Sequence, residues 1–98
     1  MSKIKWVRAQ YGQQVIRKGF DDLCAEHNGA SLFLRVYIWP EMGLCVAWQV
    51  IREPFLELSA NGLRIFTLGK VVSDEELRKM YELAKKRAEA FANCWVEE

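Results

Sequence analysis

Leu32-Phe33-Leu34-Arg35-Val36-Tyr37-Ile38-Trp39, the turn segment Pro40-Glu41-Met42-Gly43, and Leu44-Cys45-Val46-Ala47-Trp48-Gln49-Val50-Ile51 decide the fold. Aliphatic residues hold the even positions of the first run, and Phe, Arg, Tyr and Trp hold the odd ones. A period of two over eight residues is the signature of a β-strand, and the second run resumes it, so the stretch reads as a long antiparallel hairpin. Two registers are open. A three-residue loop Glu41-Met42-Gly43 with Gly43 left-handed pairs even positions with even ones. A four-residue loop beginning at Pro40 would instead bring Trp48 beside Arg35. The first is preferred, because it gathers Leu32, Leu34, Val36 and Ile38 with Leu44, Val46, Trp48 and Val50 and leaves Gln49 outside the core.

Downstream, Arg52-Glu53-Pro54 interrupts the sheet, since proline cannot donate to a ladder. Phe55 to Ala60 suits a short strand or a helical turn. Asn61-Gly62 then reads as a type I′ turn leading into a strand over 63–68. The last element is an α-helix over about 74–95. Ser73 and Glu76 form a capping box, Val72 and Leu77 the hydrophobic staple, and Asp74, Glu75 and Glu76 complement the helix dipole. Leu77, Met80, Tyr81, Ala84, Ala88, Phe91 and Trp95 make one apolar stripe, narrow at its alanine centre so that the helix can lie close to a sheet. Glu75 with Lys79 and Glu82 with Lys86 are spaced as i,i+4 pairs on the outer face.

Upstream, residues 2–9 fit either a strand or a helix start. Val15, Ile16, Phe20, Leu23 and Cys24 recur at three- and four-residue spacings, which predicts a helix over about 11–27 ending at His27-Asn28-Gly29. The expected fold is a single α+β domain over 1–98. It is a two-layer sandwich with an antiparallel sheet of three to four strands built on the hairpin 32–39/44–52, in the order α-β-β-(β)-β-α, both helices covering one face. Over roughly residues 11–95 this order resembles the double-stranded-RNA-binding domain in topology. That family grips phosphate with lysines at the start of its last helix. Ser73-Asp74-Glu75-Glu76 stand there in this chain, so the resemblance implies a fold and not that function.

Of the 98 residues 51% are hydrophobic, enough to build a core without disulfides or a metal. Four tryptophans exceed what so small a core requires, which points to an interface or pocket for at least one. A net charge of +1 argues against a strongly cationic nucleic-acid binder and against an acidic DNA mimic. Residues 1–20 are basic, however, with Lys3, Lys5, Arg8, Arg17 and Lys18 and no acid. Cys24, Cys45 and Cys94 lie in apolar contexts and read as reduced, buried thiols. With no secretory h-region and no membrane-length apolar run, the expectation is a cytoplasmic protein without a membrane partner.

The catalytic inventory is thin. Cys24 and His27 would share a helix face but lack a third orienting group, and the three cysteines with His27 lack the paired spacing of a zinc site. Glycines near a strand, Gly62 and Gly69, lack a phosphate-loop context. No enzyme activity, metal or cofactor is expected. The aromatic face of the hairpin carries the functional expectation. Phe33, Arg35, Tyr37 and Trp39, assisted by Gln49, suit a protein contact, first of all self-association, in an accessory or inhibitor protein of the kind phages and mobile elements encode. The alternative is a single-stranded nucleic-acid module that stacks bases on the same face and uses Lys3, Lys5, Arg8, Arg17 and Lys18. A third reading is a small-molecule pocket lined by Trp48, Phe91 and Trp95.

Overall fold

The central hairpin forms from β3 (Ala30–Trp39) and β4 (Gly43–Arg52), ten residues each. A computed structural model describes it together with the rest of residues 4–9, 16–27, 29–52, 60–67, 69 and 71–94. Leu32 pairs with Val50, Leu34 with Trp48, Val36 with Val46 and Ile38 with Leu44, so even positions pair with even ones as expected, but two residues away from the pairing that the expected loop Glu41-Met42-Gly43 would give. The connection is Pro40-Glu41-Met42, closed by the Met42 N–H donating to the Trp39 carbonyl at 2.9 Å. Gly43, at φ +121°, is already the partner of Trp39. An L side chain rarely adopts that φ, so glycine is required at this corner.

Around this hairpin the chain runs β1 (Val7–Arg8), β2 (Leu23–His27), β3, β4, β5 (Ala60–Thr67) and α1 (Asp74–Cys94). The strands lie in sequence order, β1-β2-β3-β4-β5, each antiparallel to the next. Among the described residues the fold is therefore an α+β meander of five strands with one helix, where three to four strands and two helices were expected.

The N-terminal helix over 11–27 is the main correction, and with it goes the topological resemblance to the double-stranded-RNA-binding domain. Residues 10–15 lie outside the described residues, but the chain bends at 16–19 and Leu23–His27 is a strand. Two features override the helical spacing. Gly19 sits at φ +90° and breaks the segment. The ladder from Leu23↔Leu34 to His27↔Ala30 then gives this edge of β3 its hydrogen-bonding partner. Of His27-Asn28-Gly29, expected as a helix stop, His27 is the last residue of β2 and pairs with Ala30, Gly29 sits at φ +75°, and Asn28 lies outside the described residues.

Asp22 ends this ladder. Its Oδ1 accepts the Val36 N–H at 2.8 Å, one pair beyond the last rung, while the Tyr81 hydroxyl donates to the Asp21 carbonyl at 2.5 Å. Asp22 is accordingly buried.

The second correction concerns Asn61-Gly62, which is not a turn. Both residues lie inside β5, opposite Gln49 and Trp48. The strand-or-turn question over 55–59 falls outside the described residues. A Cβ on Gly62 would come 2.2 Å from Trp48 Nε1 and 2.7 Å from its Cε2, so the indole lies across the glycine backbone. Gly62 leaves the surface gap that a Trp ring on the neighbouring strand then covers.

Helix α1 begins as expected. The Glu76 N–H donates to Ser73 Oγ at 3.1 Å, and Val72 and Leu77 are buried together. Leu77, Tyr81, Ala84, Ala88 and Ala92 face the sheet. Glu82 approaches Lys85 at 3.9 Å instead of the expected Lys86. The helix lies over β3 and β4 and reaches β5, so Leu32, Leu34, Val36, Val46 and Val50 form the core, while Ile38, expected with them, is 55% exposed near the tip of the hairpin. Leu32, Leu34 and Leu77 are fully enclosed, each contributing about 2–3 kcal/mol of burial. The segment before β2 is clamped to the start of α1. Arg17 donates to the Val72 carbonyl, and Arg78 donates to the Gly19 carbonyl at 2.9 Å with its guanidinium 4.2 Å from the Phe20 ring centre. Among the described residues no helix is long and apolar enough to cross a membrane.

Candidate functional site

The strand parity that sends Leu32, Leu34 and Val36 towards α1 sends Phe33, Arg35, Tyr37 and Trp39 to the other side of the sheet. Cross-strand pairing extends that row. Phe33 faces Gln49, Arg35 faces Ala47 and Tyr37 faces Cys45. Beyond them Gln49 meets Asn61, Ala47 meets Leu63 and Cys45 meets Ile65. On the other flank Phe33 meets Cys24, which meets Val7. All five residues expected at a partner contact therefore share one face, and among the described residues no helix or strand lies over it.

Large apolar groups reach solvent there. Trp39 is 46% exposed, Leu63 49% and Val7 49%. Phe33, Tyr37, Ala47 and Ile65 are half-buried, while Arg35 and Gln49 are exposed. The short Ala47 side chain leaves a hollow between its taller neighbours, a groove of about 320 Å³ walled by Phe33, Arg35, Tyr37, Gln49 and Leu63. Ala47 and Leu63 are contact positions the sequence reading missed. Leu63 was detectable in principle, because it stands at an odd position once β5 is carried back through Asn61-Gly62.

Arg35 is held in place. Its Nε lies 3.6 Å from Asp22 Oδ2, and its guanidinium carbon lies 5.2 Å from the centre of the Tyr37 ring. The pair joins a buried carboxylate to a half-exposed guanidinium, and it orders a long side chain that would otherwise lose entropy on binding. Beneath Tyr37, Cys45 is fully enclosed and its thiol approaches the Gly43 carbonyl at 3.5 Å. Burial pushes the Tyr37 hydroxyl above its ordinary pKa, the adjacent Cys45 adds to this and Arg35 opposes it. Burial likewise pushes the Cys45 thiol up, against hydrogen bonds from the Trp39 backbone and Tyr37. Both groups are neutral at physiological pH, so the thiol is a packing group and not a primed nucleophile.

The remaining candidates scatter. Lys3 lies outside the described residues. Lys5 and Lys18 are exposed. Arg8 is exposed and stands 3.9 Å from Asp21, and Arg17 is engaged with Val72 and Asp74. Cys24 and His27 are three apart on a strand and point to opposite faces, which dissolves the nucleophile–base pair. His27 Nε2 lies 2.7 Å from Asn93 Oδ1. Cys94 is exposed and Cys24 half-buried, so only Cys45 fits the buried-thiol expectation. Among the described residues no three His, Cys, Asp or Glu side chains cluster as metal ligands would. Trp48 and Phe91 pack from the helix side, and Trp95 lies outside the described residues.

The fold and this face define a class: an antiparallel meander with a C-terminal helix on one side, whose second sheet face is apolar, aromatic and uncovered among the described residues. Comparison with family models, curated proteins and solved structures finds no match for the chain.

Proposed function

We propose that this is a non-enzymatic cytoplasmic protein that works by protein–protein contact, and that its first partner is a second copy of itself seated on the open sheet face. The observation that carries the reading is the exposure of Trp39 and Leu63 on one face with Arg35 and Tyr37. Trp, Tyr and Arg are the side chains that dominate binding energy at interfaces, and a solvated antiparallel face would alternate to polar residues instead.

The size of the face supports a dimer. Strands of 2, 5, 10, 10 and 8 residues, at about 3.3 Å per residue and about 4.8 Å apart, give a footprint of roughly 550 Å². Two copies would then bury about 1,100 Å², just above the roughly 1,000 Å² that a specific interface needs. Face-to-face sheets pack about 10 Å apart, with side chains of one filling hollows of the other, and the hollow over Ala47 is such a receptor.

Sedimentation of the wild type and of the Trp39→Ser/Leu63→Ser double variant tests this, each with and without single-stranded DNA and RNA. A concentration-dependent dimer that the variant converts to monomer is expected, with no change on adding nucleic acid. A wild type that stays monomeric at high micromolar concentration overturns self-association. Binding of single strands lost with the same two changes would put base stacking in its place.

A further inference from the structure

On the other side of β5, facing α1, an open cleft of about 330 Å³ runs between strand and helix, lined by Trp48, Gly62, Arg64, Met80, Leu83 and Arg87. Its volume is at the lower end of the range for small-molecule sites. The floor is apolar, with the Trp48 indole laid flat over Gly62, and Leu83 adds 40% of its surface at the rim. Two guanidiniums stand at this apolar floor, and neither has an acidic partner among the described residues. Arg64 has only the Phe66 ring, 6.0 Å from its guanidinium carbon. Residues three and four positions from Arg87 on the helix are Leu83, Ala84, Ala90 and Phe91, none of them an acid. The nearer acids of α1 are engaged elsewhere, Glu82 towards Lys85 and Glu89 with the Trp6 indole at 2.8 Å. Trp48 Nε1–H has no acceptor among the described residues.

We propose that this cleft binds a small amphiphilic carboxylate, an apolar aryl or alkyl body with one acid group. The body would lie against Trp48, Met80 and Leu83, and the carboxylate would meet Arg64 and Arg87, whose forked N–H donors match its two oxygens. Trp48 Nε1–H supplies a further donor. An apolar floor without the arginines would take neutral and charged ligands alike, and arginines without the floor would give only weak, salt-screened attraction. Their juxtaposition selects a molecule with both parts. The cleft opens on the helix side of the sheet, but Trp48, Gly62 and Leu63 also line the groove on the open face, so it is Arg64→Gln and Arg87→Gln, outside that groove, that separate this site from the dimer proposed above.

The probe is 2-naphthoate, with 2-naphthylmethanol as its neutral counterpart, titrated into the 15N-labelled full chain while the four indole N–H cross-peaks are followed. Trp48→Phe identifies the Trp48 cross-peak by its disappearance. That peak is expected to move saturably with naphthoate, which binds about ten-fold more tightly than the alcohol, the loss expected for one charge-assisted contact. Arg64→Gln and Arg87→Gln alter exposed side chains and leave the spectrum dispersed, and each is expected to weaken naphthoate several-fold. Equal binding of alcohol and acid, an unmoved Trp48 cross-peak, or wild-type affinity in both arginine variants would each overturn the proposal.

Discussion

Replacing Gly62 by alanine isolates the contact that joins β4 to β5 on the helix side. The backbone at Gly62 is not in the left-handed region, so alanine is not strained there by its own φ. Its Cβ, however, would stand 2.2 Å from Trp48 Nε1 and 2.7 Å from Cε2, far inside contact distance, and the indole has to move. Trp48 is only half-buried, so the ring can swing outward without leaving a sealed cavity. The cost is then that of an overpacked site, about 1–3 kcal/mol, and not the 3–5 kcal/mol of deleting a core aromatic. Against this, alanine reduces the entropy of the unfolded chain and stabilises by about 0.4–1 kcal/mol. The net expectation is a loss of about 1–2 kcal/mol, read as a lower midpoint in urea at unchanged m-value. The double change Trp48→Ala/Gly62→Ala supplies the control. With no indole to displace, Gly62→Ala should become neutral or stabilising in that background, giving a coupling of about 1.5–2.5 kcal/mol. An equal cost in both backgrounds would refute the reasoning, because the penalty would then lie in the strand and not in the Trp48 ring.

Two further changes separate local roles. Asp22→Ala orphans the buried Val36 N–H and should cost about 2 kcal/mol, whereas Asp22→Asn keeps an acceptor there and should cost less than about 1 kcal/mol by urea unfolding. A similar loss for both would show that the Arg35 ion pair, and not the capped N–H, matters at this position. Tyr81, whose hydroxyl pKa burial raises to about 12, is protonated more strongly in the fold than in the unfolded chain, where it titrates near about 10. The folded state therefore holds the extra proton between those values. The stability this contributes is complete below about pH 10 and is lost as pH rises towards about 12, by up to roughly 2–3 kcal/mol. Tyr81→Phe should lose about 1 kcal/mol at neutral pH with its bond to the Asp21 carbonyl, and should flatten that alkaline decline in melts across pH 9–11. An unchanged alkaline slope would assign the decline to other groups.

The parts of the fold legible in the sequence are those where local pattern and tertiary pairing agree. The even-with-even pairing of the hairpin followed from putting Leu32, Leu34 and Val36 on the face of Val46 and Val50, and α1 followed from Ser73, Glu76 and the staple. Where they disagree, pairing prevails. Residues 15–24 carry helical spacing, but Leu23–His27 completes the hydrogen bonding of β3 along an edge that would otherwise stay unpaired. Asn-Gly occurs twice in the chain, at 28–29 and 61–62, and of the two glycines Gly29 alone is left-handed. No local rule separates the two. At 61–62 the deciding factor is Trp48 on the facing strand, a contact visible only once the β4–β5 register is known. The candidate face was legible for the same reason as that pairing. Phe33, Arg35, Tyr37, Trp39 and Gln49 fall together whenever even pairs with even. Leu63 and Ala47 were hidden because their roles depend on where β5 begins.

The two faces of the sheet carry different demands on their side chains. The helix side is built mainly from Leu, Val and Ala, with Phe20, Phe66 and Tyr81 at one end, groups that fill a sealed interior, and the one buried hydroxyl among them, that of Tyr81, is satisfied by the Asp21 carbonyl. The open side carries Trp39, Tyr37, Phe33 and a tethered Arg35, groups with large area, few rotors and a polar end that tolerates water. A second core layer would favour the first kind, and a purely solvated face would favour neither. Side chains that are costly to leave wet yet adapted to being partly wet fit a surface that exchanges water for a partner. A twofold dimer would set the same row against itself, so each copy would supply both knob and hollow. On this reading, converting Leu63 and Trp39 to serine should not destabilise the monomer, since neither residue is enclosed by its own chain.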